Sequence, residues 1–239
     1  MELKDIDVRF DVRSDCPEPK PGSNKIPDPD IVSPMLKAYH QLLWSKPLPN
    51  GEIMELETGK NCYLKWHDIY LGSDSIAVTF RHYRNPHYQE FKAAIPDYDS
   101  YMADVLKKIC VIGGYVIFPQ SRWSMNCARG CHRKISDRWD LTLECIRRFY
   151  AGETSPLDSA MERARDFFEL FVDFKGYVDF FLFQDCVDED YNVKFWLDTP
   201  LFVSDPYPRN LNEYLAWVAS QIDFVNKRNN RIVDYCQRK

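Results

Sequence analysis

The sequence predicts an α+β protein: an antiparallel or mixed sheet with three to five helices packed against it. Three observations lead there. Short runs of period two cluster between residues 53 and 80, while longer runs of period 3.6 lie on both sides. Strands and helices do not alternate regularly, so a doubly wound parallel sheet is not expected. Hydrophobic residues make up 45% of the 239 positions, enough for a sizeable core, and aromatics 15%, so that core should be built largely from rings. The length fits one domain spanning residues 1–239, with a proline-rich surface loop at about 15–31.

Taken in order, Asp7 to Arg13 alternates charged and apolar residues and reads as an edge strand. The PEPKPG and PDPD runs that follow can be neither helix nor central strand. Ser33-Pro34 is a helix start, with serine as N-cap and proline at the first turn. Leu36, Tyr39 and Leu43 give that helix its apolar face, and Pro47 to Gly51 ends it. Ile53–Glu57, Cys62–Tyr70 and Ser75–Phe80 read as an antiparallel meander, with a turn at Leu71 to Asp74. Tyr98 to Cys110 reads as a helix and Val111 to Phe118 as a buried strand, whose Gly113-Gly114 pair marks a bulge or close packing.

The next stretch, Ser124 to Tyr150, opens as a basic loop and closes as an amphipathic helix. Asp137 is the expected N-cap and Asp140 the N3 acid, with Trp139, Leu143, Ile146 and Tyr150 as the buried stripe and Gly152 as the stop. A helix is expected from Ser155-Pro156 to about Phe174. The ring-rich run Tyr177–Val187 suits a short buried helix or a strand, with strand favoured, and Val193–Leu197 alternates like a strand. Asp185, inside an apolar run, is expected to pair with one of the loop arginines. Asn210 caps the last long helix, with Leu211, Leu215, Val218, Ile222 and Val225 as its stripe. Residues 228–239 form a basic tail.

The chemistry is expected at the basic loop. The chain carries a net charge of −5, yet Arg122, Arg129, Arg133, Lys134 and Arg138 face a single acid, Asp137, between positions 122 and 138. A guanidinium fits phosphate or carboxylate, glycine allows close backbone approach, and a helix start adds free N–H groups. Asn126, Arg129, Gly130, Arg133 and Arg138 are therefore the candidate anion-binding residues, for an anionic small molecule or nucleotide. Asp137, Glu144 and His40 are the candidate proton carriers. Internal ion pairs or plain solvation compete with this reading at each arginine, and a buried, hydrogen-bonded role competes with catalysis at His40. A second basic spot, Arg81 to His87, would frame a cleft if it faced the first.

The DRWDLTLECIRRFY run at Asp137–Tyr150 and the YHQLLWSKPLPNG run at Tyr39–Gly51 resemble a family of uncharacterised bacterial proteins of similar length. That resemblance implies a bacterial or phage cytoplasmic setting and no particular chemistry.

Several classes are excluded. There is no phosphate-binding P-loop, dinucleotide fingerprint, HExxH zinc motif, GxSxG elbow or kinase set. No apolar run spans a bilayer and no secretory leader opens the chain, so the expected setting is the cytoplasm and no membrane. The eight cysteines are expected as reduced thiols. Cys127, Cys131 and His132 lack a second ligand pair, so no metal is assigned, and nothing identifies a cofactor. The acidic balance disfavours broad nucleic-acid binding. The long proline-rich loops and abundant rings leave a non-catalytic protein-interaction module, phage- or defence-related, as the alternative to a ligand-binding enzyme, and a nucleic-acid-acting enzyme as a further one.

Overall fold

The computed structural model describes residues 1–19, 27–59, 62–77, 85–120 and 125–238. Three strands form its antiparallel sheet: β1 (Leu64–Trp66), β2 (Ile69–Ser75) and β3 (Tyr115–Pro119). β2 is central. It pairs Leu71 with Leu64 on one side and with Pro119 on the other, and Ser73 sits opposite Ile117. Ten α-helices among the described residues surround this sheet, more than the three to five expected, because several are single turns.

The helices that precede β3 are α1 (Pro29–Val32), α2 (Pro34–Trp44), α3 (Tyr88–Ala94) and α4 (Tyr98–Ile109). After it come α5 (Met125–Cys131), α6 (Trp139–Ala151), α7 (Asp158–Glu162), α8 (Arg165–Glu169), α9 (Phe174–Phe180) and α10 (Leu211–Gln237). Locally signalled ends form as read. The Ser33 hydroxyl accepts from the Leu36 N–H, Asn210 accepts from Glu213, and Gly152 ends α6 in the left-handed region. α10 runs straight through the basic tail as one helix, because Arg228 and Ile232 are fully buried.

Other expectations need correcting. Asp7 to Arg13 is a chain of turns rather than a strand, since the Asp7 and Asp11 carboxylates accept from the backbone N–H groups two residues on. Residues 53–57 make isolated bridges only, and the turn expected at Leu71–Asp74 is the body of β2. Residues 78–80 of the expected third strand lie outside the described residues. A 3-10 turn, Ile112–Gly114, precedes β3. There a Cβ on Gly113 would stand 2.3 Å from the Asn229 side chain of α10, so the glycine pair serves close packing.

The loop expected after β3 contains α5. The single helix expected from 155 to 174 is α7 and α8, which together bury both Phe167 and Phe168. Residues 177–187 are α9 and a 3-10 turn, Gln184–Cys186, rather than a strand, and Val193 contributes only a bridge to Val187. The rings decide this: Phe171, Tyr177, Phe180, Phe181 and Phe183 pack with neighbouring centroids about 5–6 Å apart, in the range favourable for edge and tilted pairs.

Candidate functional site

α5 and α6 present the basic stretch, and β2 receives it. Arg129 lies at the middle of α5 and is fully buried. Its Nη1 donates to Asp74 Oδ2 at 2.6 Å and to the Ser75 carbonyl at 2.9 Å. Its Nη2 donates to the Asp137 carbonyl at 2.9 Å and its Nε to Thr142 Oγ1 at 3.3 Å. The Asp137 carboxylate stands 3.4 Å away. To reach back, the chain takes positive φ at both Ser136 and Asp137, 50° and 63°. Two consecutive side-chain-bearing residues in the left-handed region are held only where the surroundings over-determine them.

This turn also moves the helix start. Arg138, not Asp137, is the N-cap of α6, and no side-chain cap bond forms there. Arg138 is fully buried and forks onto both oxygens of Asp140, with Nη1 also donating to Thr199 Oγ1 and the Pro206 carbonyl. The expected N3 acid is thus the counter-ion of a buried arginine, and Asp140 accepts from the Trp196 N–H as well.

Arg133 is the exposed member of the set. It pairs with Asp205 at 2.8 Å beside a hollow of about 290 Å³ lined also by Gly130, Ser136 and Tyr207. The candidate anion-binding residues therefore do not converge on one cavity. Asn126 and Arg129 face β2, Gly130 and Arg133 border a surface hollow, and Arg138 is enclosed. Arg122, Arg81 and Arg84 lie outside the described residues.

The proton-carrier candidates separate likewise. Glu144 is buried and held by Arg147 and Arg148 at 2.7–3.0 Å; its carboxyl stays below the usual range because those bonds outweigh its burial. His40 is fully buried, and burial, with Arg228 second, pulls it down to about 3, so its ring is neutral. Its Nδ1 lies 3.3 Å from the Tyr63 hydroxyl. Asp185 pairs with Arg231 on α10, not with a loop arginine.

Around Asp74 a polar cluster assembles that the sequence does not signal as a unit. α1 packs on β2 and sets Asp30 beside Ser73, whose hydroxyl donates to Asp30 at 3.4 Å. Asn126 Nδ2 donates to the Ser73 carbonyl at 2.7 Å, and its Oδ1 is buried without a hydrogen-bond partner among the described residues. The Tyr63 phenol, 3.3 Å from His40 Nδ1, is held neutral by burial and by the nearby charge of Asp30. Burial raises Asp30 well above the usual carboxyl range, and the charges of Asp74 and Asp28 add to this. Burial also lifts Asp74, to about 6, against the opposing pull of Arg129. Both carboxyls are pushed toward the protonated form, Asp74 against the pull of Arg129 and Asp30 with no such cation beside it, and unequal neighbouring acids of this kind are what general acid–base chemistry needs.

A signal for Asp30 was present. Asp28-Pro29 is an N-cap followed by proline at the first turn, and Asp28 does accept from the Asp30 N–H. Asp74 carried no such signal, because a Gly-Ser-Asp-Ser run reads as a turn until its pairing with β3 is known.

A larger hollow, about 610 Å³, lies elsewhere, between Lys46–Pro49, Phe171–Gly176 and Tyr235, and contains none of these residues. Among the described residues no group of three or more His, Cys, Asp or Glu side chains is placed to hold a metal ion, and no helix is long and apolar enough to cross a membrane. Residues 6–232 match the model of a family of unknown function (DUF6994). No curated protein and no solved structure matches the chain.

Proposed function

Because the chain belongs to a family of unknown function, DUF6994, we propose its function from its own geometry: acid–base chemistry on a small polar ligand bound at the Asp30–Ser73–Asp74–Asn126 cluster. The observation that carries this reading is the unequal pair of acids on β2 and α1. Asp74 is clamped by Arg129, whereas the Asp30 side chain has a hydroxyl and a backbone N–H as its partners. Asp30 supplies a proton and Asp74 accepts one. The Asn126 oxygen, without a partner among the described residues, adds an acceptor.

The charge balance chooses the ligand class. Three carboxyls, from Asp30, Asp74 and Asp137, act on one guanidinium whose N–H groups already hold chain atoms, and the charge of Asp28 adds to the negative field at Asp30 and Asp74. A ligand bearing amino or hydroxyl groups is attracted there, and a phosphate is repelled. Thermal shift against amines, polyols and nucleosides on one side, and phosphates and nucleotides on the other, tests this. A member of the first group at a hundred times its Kd should stabilise by about 2.7 kcal/mol. Asp30→Asn should abolish that gain without lowering the unliganded Tm, and Asn126→Ala should abolish it while costing about 1 kcal/mol for the lost bond to the Ser73 carbonyl. Stabilisation by anions alone, or a gain that survives Asp30→Asn, would remove the reading.

A second reading keeps the anion at the basic stretch but moves it to the surface. The hollow beside Gly130, Arg133 and Ser136 supports it, since Arg133 is mostly exposed and, among the described residues, tied only to Asp205. A nucleotide-induced shift that Arg133→Ala removes would favour this reading over the first.

A further inference from the structure

Cys127 and Cys131 stand apart from the other six cysteines. They are the two exposed ones; Cys145 and Cys186 are buried and the rest half-buried. Both lie on α5, one turn apart, with their sulphurs 3.9 Å from each other. Four helical residues rise about 6 Å, and disulfides accept Cα separations of about 4.4–6.8 Å. Closing the bond to its normal length of about 2.05 Å needs side-chain rotation and a small tightening of the turn. Gly130 lies immediately before Cys131, where an added Cβ would meet the Asp137 carboxylate at 3.4 Å, ordinary contact, so no bulk on this residue stands against the outward face that carries the two sulphurs.

We infer that Cys127 and Cys131 form a reversible dithiol site, which low-molecular-weight disulfides oxidise to an intrachain disulfide and thiols reduce again. In the first step one cysteine thiolate attacks a sulphur of the small disulfide, forming a mixed disulfide and expelling one small thiolate, which takes up a proton. The second cysteine, as thiolate, then attacks the protein sulphur of the mixed disulfide and expels the other. The chain loses two electrons and two protons, and the small disulfide gains both. The two sulphurs lie within hydrogen-bond range of each other, so either cysteine can attack first and the other resolves.

The site bears on the cluster described above without depending on it. Arg129 lies between the two cysteines in the chain and points inward to Asp74 while they point outward. Crosslinking stiffens the turn that carries the clamp.

The test is oxidation of the full chain with oxidised glutathione, followed by thiol titration and intact mass. The wild type should lose two thiols together, gain no adduct mass, stay monomeric on a non-reducing gel and recover with dithiothreitol; peptide mapping should place the crosslink between Cys127 and Cys131. Cys127→Ser and Cys131→Ser should each retain one glutathione on the remaining cysteine. Phenylarsine oxide, which requires two adjacent thiols, should bind the wild type and neither variant. Stable adducts on both wild-type cysteines, crosslinks between chains, or equal arsenical binding by the variants would overturn the assignment.

Discussion

At the scale of single residues, this protein hides its strongest charges. Arg138 and Asp140 are both essentially without exposure, 0% and 1%. An ion pair so placed contributes little over an apolar pair of the same shape, but removing one partner leaves a buried, uncompensated charge. Asp140→Ala should therefore cost about 3–5 kcal/mol in urea unfolding, whereas Asp205→Ala, which frees the exposed Arg133, should change stability by less than about 1 kcal/mol. The carboxyls of the cluster act through pH. Asp30 and Asp74 bind protons more tightly folded than unfolded. What they add to stability is complete below the unfolded value of 3.8 and is lost as pH rises, through about 6 for Asp74. Asp30→Asn keeps the shape and removes the charge. The gap in Tm between it and wild type should be small near about pH 4 and should open in favour of the variant by about pH 7.5. A constant gap across that range would show that Asp30 does not titrate as described. Composition alone pointed to Arg129 and Arg138 as unusual. It could not name their partners, because Asp74 lies 55 residues from Arg129 and meets it only through the sheet register.

At the scale of elements, the ends were more legible than the faces. Ser33, Asn210 and Gly152 end helices through bonds made within a few residues, so the signal and its cause sit in the same window. The face of α10 was read correctly in part: Val218 and Val225 are buried as expected and Leu211 and Ile222 half-buried. Leu215 is 36% exposed, and the buried stripe runs through Tyr214, Trp217, Val218, Phe224 and Val225. A helix of rings at i, i+3 and i+4 tolerates either reading until its neighbours are known. The run at 177–187 failed for a related reason: Phe, Tyr and Val serve a buried helix and a strand equally well, and the decision was made by ring packing with Trp44 and α8. The price of that packing is visible where α8 turns into α9. Val172 adopts φ of 68° while 67% exposed, a conformation that a β-branched residue resists. Since its side chain contributes little burial, Val172→Gly should stabilise the protein by about 1 kcal/mol, read as a rise in the urea midpoint at unchanged slope. Destabilisation instead would mean that the Val172 side chain supports the wall of the 610 Å³ hollow that it lines.

At the scale of the whole molecule, one buried cation ties the sheet to both halves of the helical shell. Arg228, on α10, is fully buried. Its Nη1 donates to the Gly113 and Tyr115 carbonyls at 3.0 and 2.6 Å, and its Nε to the Phe181 carbonyl at 3.1 Å. The guanidinium sits 4.3 Å from the Phe183 ring centroid and 5.5 Å from that of Trp44. Three segments distant in sequence, the turn before β3, the end of α9 and the third turn from the end of α10, thus meet on one side chain. Asn229 reinforces the same junction by accepting the Gly113 N–H at 2.9 Å. Burial lowers Arg228 to about 9, so it remains charged at neutral pH and its desolvation is offset by carbonyls and rings. A planar fork is what reaches carbonyls on two sides at once. The point charge of lysine cannot do so, and Arg228→Lys should cost about 2–4 kcal/mol through carbonyls left without donors. Arg228→Met separates the two opposing effects. If the carbonyl bonds dominate, methionine destabilises as much as lysine does; if burying the charge costs more than those bonds return, methionine unfolds at higher urea than wild type and the junction is held by packing alone.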